Sequence, residues 1–445
     1  MLQQFLSLVQ EDPRAATLID GATGTVTSRE ALLARADELA GQFATSGLRP
    51  RDAIAMQLPN SVDFVATILA AVKLDLIIAP IDRDATDTEV TSILTHFAIR
   101  GLLHRQGFAA REISSRPEVP GDTRMIKLTS GSTGMPKGIV ASDANLLADC
   151  AHICRSMDIR AGDLNLGAIP FSHSYGFSNL VTPIFTNRTP VVVSNDYLPQ
   201  SLIELANRYG CTVAPLIPMV FEYLISSAQG SFETVRTFIS AGAPLTPSTS
   251  RRFRERFQHD VHSLYGCSEC GGITYDRSGG AVERGTVGSA LDGVSLSIDS
   301  GRLFVRSDAV ASGYLFDAHT FQPFVDGAFV TDDLVELRDH ELALSGRASD
   351  QINTAGKKVN PREVEAVLLQ IEGVREARVY GEPAGARGEV VAAVLVATPD
   401  VTREQVRAFC RQRLSLHKVP RIVKLIDQMP VDERGKVKRA ALAAL

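Results

Sequence analysis

Residues 128–140 read LTSGSTGMPKGIV, a run of glycine, serine and threonine between two apolar segments, with one lysine, Lys137. Glycines let a backbone curl until successive N–H groups point at an anion, and hydroxyls and a lysine add donors and charge. The stretch therefore predicts a phosphate-binding loop. The alternative is a flexible surface loop that happens to contain a lysine.

This loop differs from the common phosphate-loop pattern G-x-x-x-x-G-K-[ST]. Met135 and Pro136 separate Gly134 from Lys137, and Gly138 stands where that pattern has a magnesium-binding hydroxyl. We therefore expect a phosphate loop of another type, and the rest of the chain has to decide between this and the plain surface loop.

The bulk composition is that of an ordinary globular protein, with 44% hydrophobic and 22% charged residues over 445 positions. Its length predicts about two to four domains or subdomains. A formal charge of −5 gives no electrostatic reason to expect nucleic acid or an anionic membrane as a partner. The N-terminus lacks a basic signal-peptide region, and charges interrupt the longest apolar segment, so we expect a cytoplasmic protein without a membrane span.

The six cysteines are too few for a disulfide framework in a chain of this length. Cys150 and Cys154 have the spacing of one buried helix face. Cys267 and Cys270 form a C-x-x-C, which fits a redox pair or half of a zinc site. No second pair with suitable spacing follows, so zinc is disfavoured.

Apolar runs alternate with helical patterns in the first half, as in parallel α/β sheets. Strands are predicted at 53–58, 76–81, 166–171, 190–194, 212–217, 237–241 and 262–266, with a helix at 61–73. Three of these strands run into polar stretches: SHSYG, GAPLT and CSECGG. Ligands in open α/β sheets bind at the carboxyl ends of strands, so these stretches are site candidates, although ordinary strand-to-loop transitions look the same.

The second half has a different texture. Short β-like segments at 301–310, 327–337 and 340–346 predict a smaller β-rich subdomain. An α-β-β-α-β block then follows the polar segment near Arg347–Asn353. Its first helix has Asn360 as N-cap, and its second opens on a capping box at Thr402 and Gln405.

The opening loop and the stretches after it together resemble the adenylate-forming superfamily, which includes acyl-CoA synthetases, aryl-acid ligases, luciferases and the adenylation domains of peptide synthetases. The matching motifs, in family order, are LTSGSTGMPKG, PFSHSYG (170–176), SAGAPL (240–245), YGCSE (265–269), GTVG (285–288), TDDL (331–334), GRASDQI (346–352) and ERGKVKRAAL (433–442). Each motif alone is weak, but eight in order over almost the whole chain are specific.

The resemblance implies an α/β fold with two domains. Residues 1–349 would form a large N-terminal domain of layered α/β subdomains plus a β-rich subdomain, which binds ATP and the acid. Residues 350–445 would form a small, mobile α+β C-terminal domain that carries a catalytic lysine, Lys436.

The resemblance also assigns roles in binding ATP. The β- and γ-phosphates would lie against Thr129, Ser130, Gly131, Ser132, Thr133, Gly134 and Lys137. Glu269 would hold Mg²⁺, a hard cation that prefers carboxylate oxygen. The adenosine would contact Gly242, Ala243, Pro244, Tyr265, Gly266, Ser268, Asp333 and Arg347, with Tyr265 stacked on adenine and Asp333 on the ribose hydroxyls.

The remaining implied roles concern catalysis. Lys436 would stabilise charge on the attacking carboxylate and the α-phosphate, and His173 and Glu269 would complete the catalytic set. The small domain would then rotate about Asp350 and admit the phosphopantetheine thiol of coenzyme A or of a carrier protein, with Gly356 near that thiol. Each assignment has an ordinary structural alternative: a solvated acid, a wet basic tail, a turn or a packed core residue.

Departures from the family pattern concern mainly the acid substrate. The chain is shorter than most relatives near 100–124 and 275–330, TDD replaces T-G-D, and VDERGK replaces R-T-x-S-G-K. No acidic residue lies in PFSHSYGFSN, where amino-acid-activating relatives bind the substrate amine, and 214–224 is mostly apolar. A buried ammonium without a carboxylate partner is costly, so a fatty or aryl acid is favoured over an α-amino acid.

The sequence therefore predicts a Mg²⁺- and ATP-dependent ligase that joins a small-molecule carboxylic acid to coenzyme A through an acyl-adenylate. One alternative delivers the acyl group to a separate carrier protein, since no phosphopantetheine attachment motif lies in this chain. The other is a non-catalytic nucleotide- or acyl-binding relative.

Overall fold

The computed structural model describes residues 1–129, 136–324, 327–348, 350–354, 357–384, 389–430, 437 and 441–442. The helices are α1 (Leu2–Glu11), α2 (Arg29–Thr45), α3 (Val62–Lys73), α4 (Asp87–His96), α5 (Asp143–Ser156), α6 (Ser174–Gly176), α7 (Thr182–Thr186), α8 (Pro199–Tyr209), α9 (Pro218–Ser227), α10 (Pro247–Phe257), α11 (Pro361–Leu368) and α12 (Arg403–Arg411), and a π-helical turn, Phe177–Val181, joins α6 to α7.

The strands alternate with these helices through the first half and dominate the second. They are β1 (Ala16–Asp20), β2 (Val26–Ser28), β3 (Ala53–Gln57), β4 (Ile77–Pro80), β5 (Gly101–His104), β6 (Gly107–Ala110), β7 (Thr123–Thr129), β8 (Lys137–Ser142), β9 (Asn165–Gly167), β10 (Val191–Val193), β11 (Val213–Leu216), β12 (Thr237–Ser240), β13 (Val261–Cys267), β14 (Gly271–Tyr275), β15 (Ser289–Ala290), β16 (Ser295–Asp299), β17 (Arg302–Arg306), β18 (Gly313–Asp317), β19 (Thr320–Pro323), β20 (Ala328–Arg338), β21 (Glu341–Arg347), β22 (Ile352–Thr354), β23 (Lys357–Val359), β24 (Val374–Pro383), β25 (Glu389–Ala397) and β26 (Ile422–Ile426).

Two large sheets organise the first part of the chain. Sheet A has the order β15-β14-β13-β12-β11-β9-β10-β1-β2, and β1, β10, β9, β11, β12 and β13 are all parallel. Sheet B has the order β19-β18-β8-β7-β4-β3-β5-β6, with β7, β4, β3 and β5 parallel. The predicted parallel α/β arrangement is confirmed.

Local sequence explains the central strands of sheet B. Ala53–Met56 and Ile77–Pro80 are buried on both faces, as expected where helices cover both sides of a parallel sheet. Between them, Ser61 caps α3 by accepting a hydrogen bond from the Phe64 N–H at 3.2 Å. These elements lie within a residue or two of the positions predicted from sequence.

The predicted β-rich segments form a smaller sheet of order β16-β17-β20-β21. However, β18 and β19, which also lie in that part of the chain, join sheet B instead, where β18 pairs antiparallel with β8. The sequence analysis assigned this part of the chain to the β-rich subdomain. Its strands β18 and β19 instead complete sheet B, whose strands β7 and β8 flank the glycine-rich loop.

The chain divides into two compact units. One consists of Met1–Ser297, Phe304–Phe329 and Arg338–Leu342, and the other of Ile298–Leu303, Val330–Leu337 and Ala343–Leu445. The exact boundary predicted from sequence, between residues 349 and 350, stays a prediction.

The second unit contains the predicted α-β-β-α-β block. Sheet β24-β25-β26 forms its centre, and Val364 and Leu368 of α11 are buried against it in a core that also holds Val406 of α12. The Asn360 side chain caps α11, and the Thr402–Gln405 capping box is present, as predicted. Among the described residues, no helix is both long and apolar enough to cross a membrane.

Candidate functional site

The carboxyl ends of four neighbouring strands of sheet A converge at one edge. Because β9, β11, β12 and β13 are parallel, the segments that follow them emerge on the same side. Tyr175, in the segment after β9, donates hydrogen bonds from its hydroxyl to the carbonyls of Leu216 (3.3 Å) and Ile239 (3.1 Å). The polar stretches picked out in the sequence are thereby brought together at this edge.

The glycine-rich loop connects two antiparallel strands of sheet B. Thr129, the last residue of β7, pairs with Lys137, the first residue of β8. Ser130, Gly131, Ser132, Thr133 and Gly134, which the sequence assigns to phosphate, lie outside the described residues. The strands on either side of the glycine-rich segment are therefore antiparallel partners, whereas the common pattern joins a strand to a helix.

Lys137 and Glu269 come from different sheets, and a tyrosine of β18 contacts both. The Lys137 Nζ lies 4.9 Å from the centroid of the Tyr314 ring and 5.9 Å from that of Phe316. The Tyr314 hydroxyl donates a hydrogen bond to Glu269 Oε1 at 2.8 Å. Burial, and then the neighbouring Glu269 carboxylate, raises the pKa of the Tyr314 phenol far above its ordinary value, so the phenol remains a donor.

The segment that carries Glu269 is also anchored through its backbone. The buried Lys127 of β7 donates from Nζ to the Ser268 carbonyl at 3.3 Å, and the Ala311 N–H donates to the Glu269 carbonyl at 2.8 Å. Ser174 Oγ donates to Ser268 Oγ at 3.0 Å. Side chain and backbone of this segment are thus fixed by contacts from sheet B, from Ala311 and from α6.

The segments predicted to contact adenine are accessible. Gly242, Ala243 and Pro244 are exposed beyond the end of β12, and Gly242 has φ +85°, a left-handed conformation that favours glycine. The β13–β14 pairing shifts register between Tyr265 and Gly266, which is a bulge of the kind that redirects side chains near binding sites.

A side chain at position 266 would not fit this bulge. A Cβ on Gly266 would lie 2.3 Å from the Gly271 carbonyl oxygen. Tyr265 is half-buried and Gly266 exposed, so backbone and ring together present a surface at the strand end.

His173 has an acidic neighbour that its own sequence neighbourhood lacks. His173 Nε2 lies 3.4 Å from Oδ2 of Asp82, a residue two positions after β4, and both side chains are about one third exposed. The sequence disfavoured an α-amino acid because no acidic residue lies near His173 along the chain, but folding supplies one from Asp82. The residues around His173 therefore do not distinguish an α-amino acid from a fatty or aryl acid.

Asp333 and Arg347 form an ion pair within the second unit. Arg347 Nε donates to Asp333 Oδ1 at 3.2 Å, and the Asp333 N–H donates to Thr331 Oγ1 at 3.2 Å. The structure thereby brings together the two residues predicted to lie near the ribose. Lys436 and Gly356 lie outside the described residues, so their roles stay predictions.

The cysteines offer no metal centre within the described ranges. There, no group of three or more His, Cys, Asp and Glu side chains could hold a metal ion. A hydrogen bond with Cys270, together with burial, raises the pKa of the Cys267 thiol well above its usual range, which makes it a poor nucleophile. Cys150 and Cys154 are buried on α5 with their sulfurs 3.9 Å apart, as their spacing predicts.

Magnesium needs fewer protein ligands than a metal centre built from protein side chains alone. Mg²⁺ is held in phosphate-transfer sites by one or two carboxylates, and water and substrate phosphates supply the other ligands. Glu269 provides one such carboxylate, and Lys137 provides the positive charge that a phosphate needs nearby. The residues present therefore suit a phosphate-bound magnesium ion and not an all-protein metal cage.

Sequence reasoning missed three residues around this site: Lys127, Asp82 and Tyr314. Their contacts to residues 268, 173 and 269 join positions 141, 91 and 45 apart in the chain. Only the order of strands in the two sheets brings these positions together, and no short motif encodes that order.

Two family models match this chain. One, described as AMP-binding enzyme, matches residues 7–120 and 105–315, and the other, described as AMP-binding enzyme C-terminal domain, matches residues 363–436. Together they cover most of the chain.

Similar proteins are matched over nearly their whole length. A sulfoacetate–CoA ligase from Cupriavidus necator is 26% identical, with 97% of this chain and 94% of that protein covered. A long-chain-fatty-acid–CoA ligase from Mycobacterium tuberculosis is also 26% identical, over 97% of this chain and 95% of that protein. The crystal structure of ATP-bound MatB from Rhodopseudomonas palustris superposes with a TM-score of 0.85 at 26% identity, covering 100% of this chain and 98% of that one.

Proposed function

This chain belongs to the family of AMP-binding enzymes, and on that premise we propose that it is an AMP-forming acid–thiol ligase that uses ATP and Mg²⁺. The observation that carries the proposal is the assembly of Lys137, Tyr314 and Glu269, in which a cation and a carboxylate from two sheets share one aromatic neighbour. A phosphate chain with magnesium needs both charges, placed close together and held rigid.

In the first half-reaction, a carboxylate oxygen of the acid attacks the α-phosphorus of ATP. The bond from the α-phosphorus to the bridging oxygen breaks, and pyrophosphate leaves with the electron pair. Lys137 and the loop backbone neutralise charge on the β- and γ-phosphates. Glu269 holds the magnesium ion, which would neutralise the same charge when bound. Lys436 stabilises the attacking carboxylate and the α-phosphate.

The nucleoside lies against the exposed segments beyond β12 and β13. Tyr265 stacks on adenine, Gly242–Pro244 lines its edge together with Gly266 and Ser268, and Asp333 accepts hydrogen bonds from the ribose hydroxyls. The 3.2 Å pair with Arg347 supports this role for Asp333, because it orients the carboxylate.

We place the acid near His173 and against Ile217, Pro218 and Met219, which are half-buried at the start of α9. This apolar lining supports a fatty or aryl acid. Val220, Phe221 and Leu224 of the same stretch are fully buried in the core and offer the acid no surface.

In the second half-reaction, a thiol attacks the carbonyl carbon of the acyl-adenylate. The carbon–sulfur bond forms, the carbon–oxygen bond to AMP breaks, and the thiol proton is lost to solvent or a base. We assign the thiol to the phosphopantetheine arm of coenzyme A, in line with the two CoA ligases among the similar proteins, and place Gly356 beside that arm.

The test is product formation with a panel of fatty, aryl and α-amino acids, with MgATP and either coenzyme A or a phosphopantetheinylated carrier protein. We expect AMP release and an acyl-CoA mass for one acid class, and loss of both in Lys436→Ala. A thioester on the carrier and none on coenzyme A would reassign the acceptor. A Lys436→Ala variant with unchanged product formation would remove that lysine from the mechanism.

A further inference from the structure

Tyr314 is held in place independently of the two charged groups that it contacts. It lies on β18 opposite Ile139 of β8, and its ring packs edge-on against Phe324 with the ring centroids 5.0 Å apart. The preceding Gly313 allows a close approach of β18 to β19, because a Cβ there would lie 2.3 Å from the Gln322 carbonyl oxygen. The backbone and aromatic packing therefore set the direction of the phenol.

The two polar contacts of Tyr314 use different parts of the side chain. The ring lies near the Lys137 ammonium, with the nitrogen 4.9 Å from the centroid, and the hydroxyl donates to Glu269 Oε1 at 2.8 Å. A phenylalanine would keep the first contact and lose the second. The two contacts can therefore be separated by a single atom.

The hydroxyl contact determines how Glu269 is presented. A glutamate has three rotatable side-chain bonds, and ordering it on metal binding costs free energy. The bond to Oε1 orders the carboxylate in advance and leaves the second oxygen for another ligand. The backbone bonds to Ser268 and Glu269 carbonyls fix the main chain but not this rotation.

From this arrangement we infer that Tyr314 is a positioning residue, which orients the Glu269 carboxylate for the magnesium ion of MgATP and so couples the metal ligand to Lys137. The inference rests on the proposed function, because it takes Glu269 as the magnesium ligand. Tyr314 acts through Glu269 and does not itself contact the substrate. The alternative is a hydroxyl that only satisfies a hydrogen bond between packed elements.

The test measures ATP binding by calorimetry as a function of magnesium concentration, without acid or turnover. The variants are Tyr314→Phe, Glu269→Gln and the double variant. Tyr209→Phe on α8 is the matched control, since its hydroxyl lies beside Gly24 and neither residue is assigned to the nucleotide site. Loss of a hydrogen bond to a charged group typically weakens binding by about tenfold. We therefore expect Tyr314→Phe to raise the magnesium concentration for half-maximal ATP binding by about tenfold.

The double variant separates positioning from packing. If the phenol acts through the carboxylate, Tyr314→Phe changes the magnesium dependence less than twofold once Glu269→Gln is present. The inference would be overturned if Tyr314→Phe changed the half-maximal magnesium concentration equally in wild type and in Glu269→Gln. It would also be overturned if Tyr314→Phe alone lowered that concentration. A Tyr314→Phe protein indistinguishable from Tyr209→Phe would overturn it as well.

The same experiment keeps this inference apart from the proposed function. If wild type binds MgATP but turns over no acid, the ligase proposal fails, and the magnesium titration still decides the role of Tyr314. If wild-type ATP binding does not depend on magnesium, Glu269 is not a magnesium ligand and the inference fails, whatever product the enzyme makes.

Discussion

Replacement of Lys137 by alanine should separate catalysis from stability. In the described part of the chain, Lys137 makes no ion pair, and its ammonium contacts only the rings of Tyr314 and Phe316. Cation–π contacts at partly exposed sites contribute about 0.5–1 kcal/mol each. The free energy of unfolding should therefore fall by no more than about 2 kcal/mol, and the melting temperature by no more than a few degrees.

The expected effect on the reaction is much larger. A lysine about 4 Å from a phosphate oxygen interacts by about 4 kcal/mol at an effective dielectric constant of about 20. Removing one such donor typically lowers the rate by about 10²–10³. The assay is thermal unfolding in parallel with kcat/KM for ATP in AMP release. Lys73→Ala is the control, since Lys73 of α3 forms an exposed ion pair with Asp37 of α2 and neither residue is assigned to the site.

Two results would refute this reasoning. If Lys137→Ala keeps more than about one tenth of wild-type kcat/KM, Lys137 does not face the phosphates. If its melting temperature falls by more than about 10 °C while Lys73→Ala is unchanged, the ammonium stabilises the fold and the phosphate assignment loses its support.

Asp333→Asn should raise KM for ATP by about tenfold or more, because a neutral amide is a weaker acceptor for the ribose hydroxyls. The neighbouring Asp332→Asn should keep a KM near that of wild type. Equal effects of the two substitutions on KM would contradict the assignment of Asp333 to the ribose. Asp149 is buried and accepts hydrogen bonds from Ser178 Oγ (2.5 Å) and the Gly272 N–H (2.9 Å). Asp149→Ala leaves both donors unpaired, so it should lower the free energy of unfolding by about 2–5 kcal/mol. A loss below about 1 kcal/mol in chemical denaturation would contradict this. Burial lowers the pKa of His152 below its unfolded value, so its contribution to stability is complete above the unfolded pKa of about 6.5 and is lost as the pH falls below it. The melting temperature of His152→Gln should therefore depend less steeply on pH over that range than wild type, and parallel curves would show that other groups set the dependence.

Local patterns predicted many of the strands and the helices that begin at Val62, Pro361 and Arg403. The Ser61, Asn360 and Thr402 caps are each satisfied within three residues of chain, so the sequence alone specifies them. Ala53–Met56 and Ile77–Pro80 of sheet B and Val213–Leu216 of sheet A are apolar runs, and all of them are buried. The family was likewise predictable, because its motifs follow one another along the chain.

The parts that sequence reasoning missed depend on which strands become neighbours. Tyr314 reaches Glu269 only because β18 leaves the β-rich segment and pairs with β8. Asp82 meets His173 only because the end of β4 in sheet B lies near the segment after β9 in sheet A. Periodicity and composition report the burial of a strand but not its partner, so these contacts had no signal in the sequence.

The stretch 214–224, a candidate lining for the acid pocket, also could not be interpreted from the sequence alone. Residues 214–224 are mostly apolar, and the sequence could not distinguish a pocket lining from core. In the structure, Ile217–Met219 are half-buried while Val220 and Phe221 are fully buried. Ile217–Met219 therefore remain candidates for contact with the acid.

The most direct test of the central claim is acid-dependent exchange of labelled pyrophosphate into ATP, with magnesium and without any thiol. Exchange requires reversible formation of an acyl-adenylate, so it isolates the first half-reaction from the choice of acceptor. We expect exchange with one class of carboxylic acid and its loss in Glu269→Gln. Folded protein that binds MgATP but shows no exchange with any fatty, aryl or amino acid would contradict it.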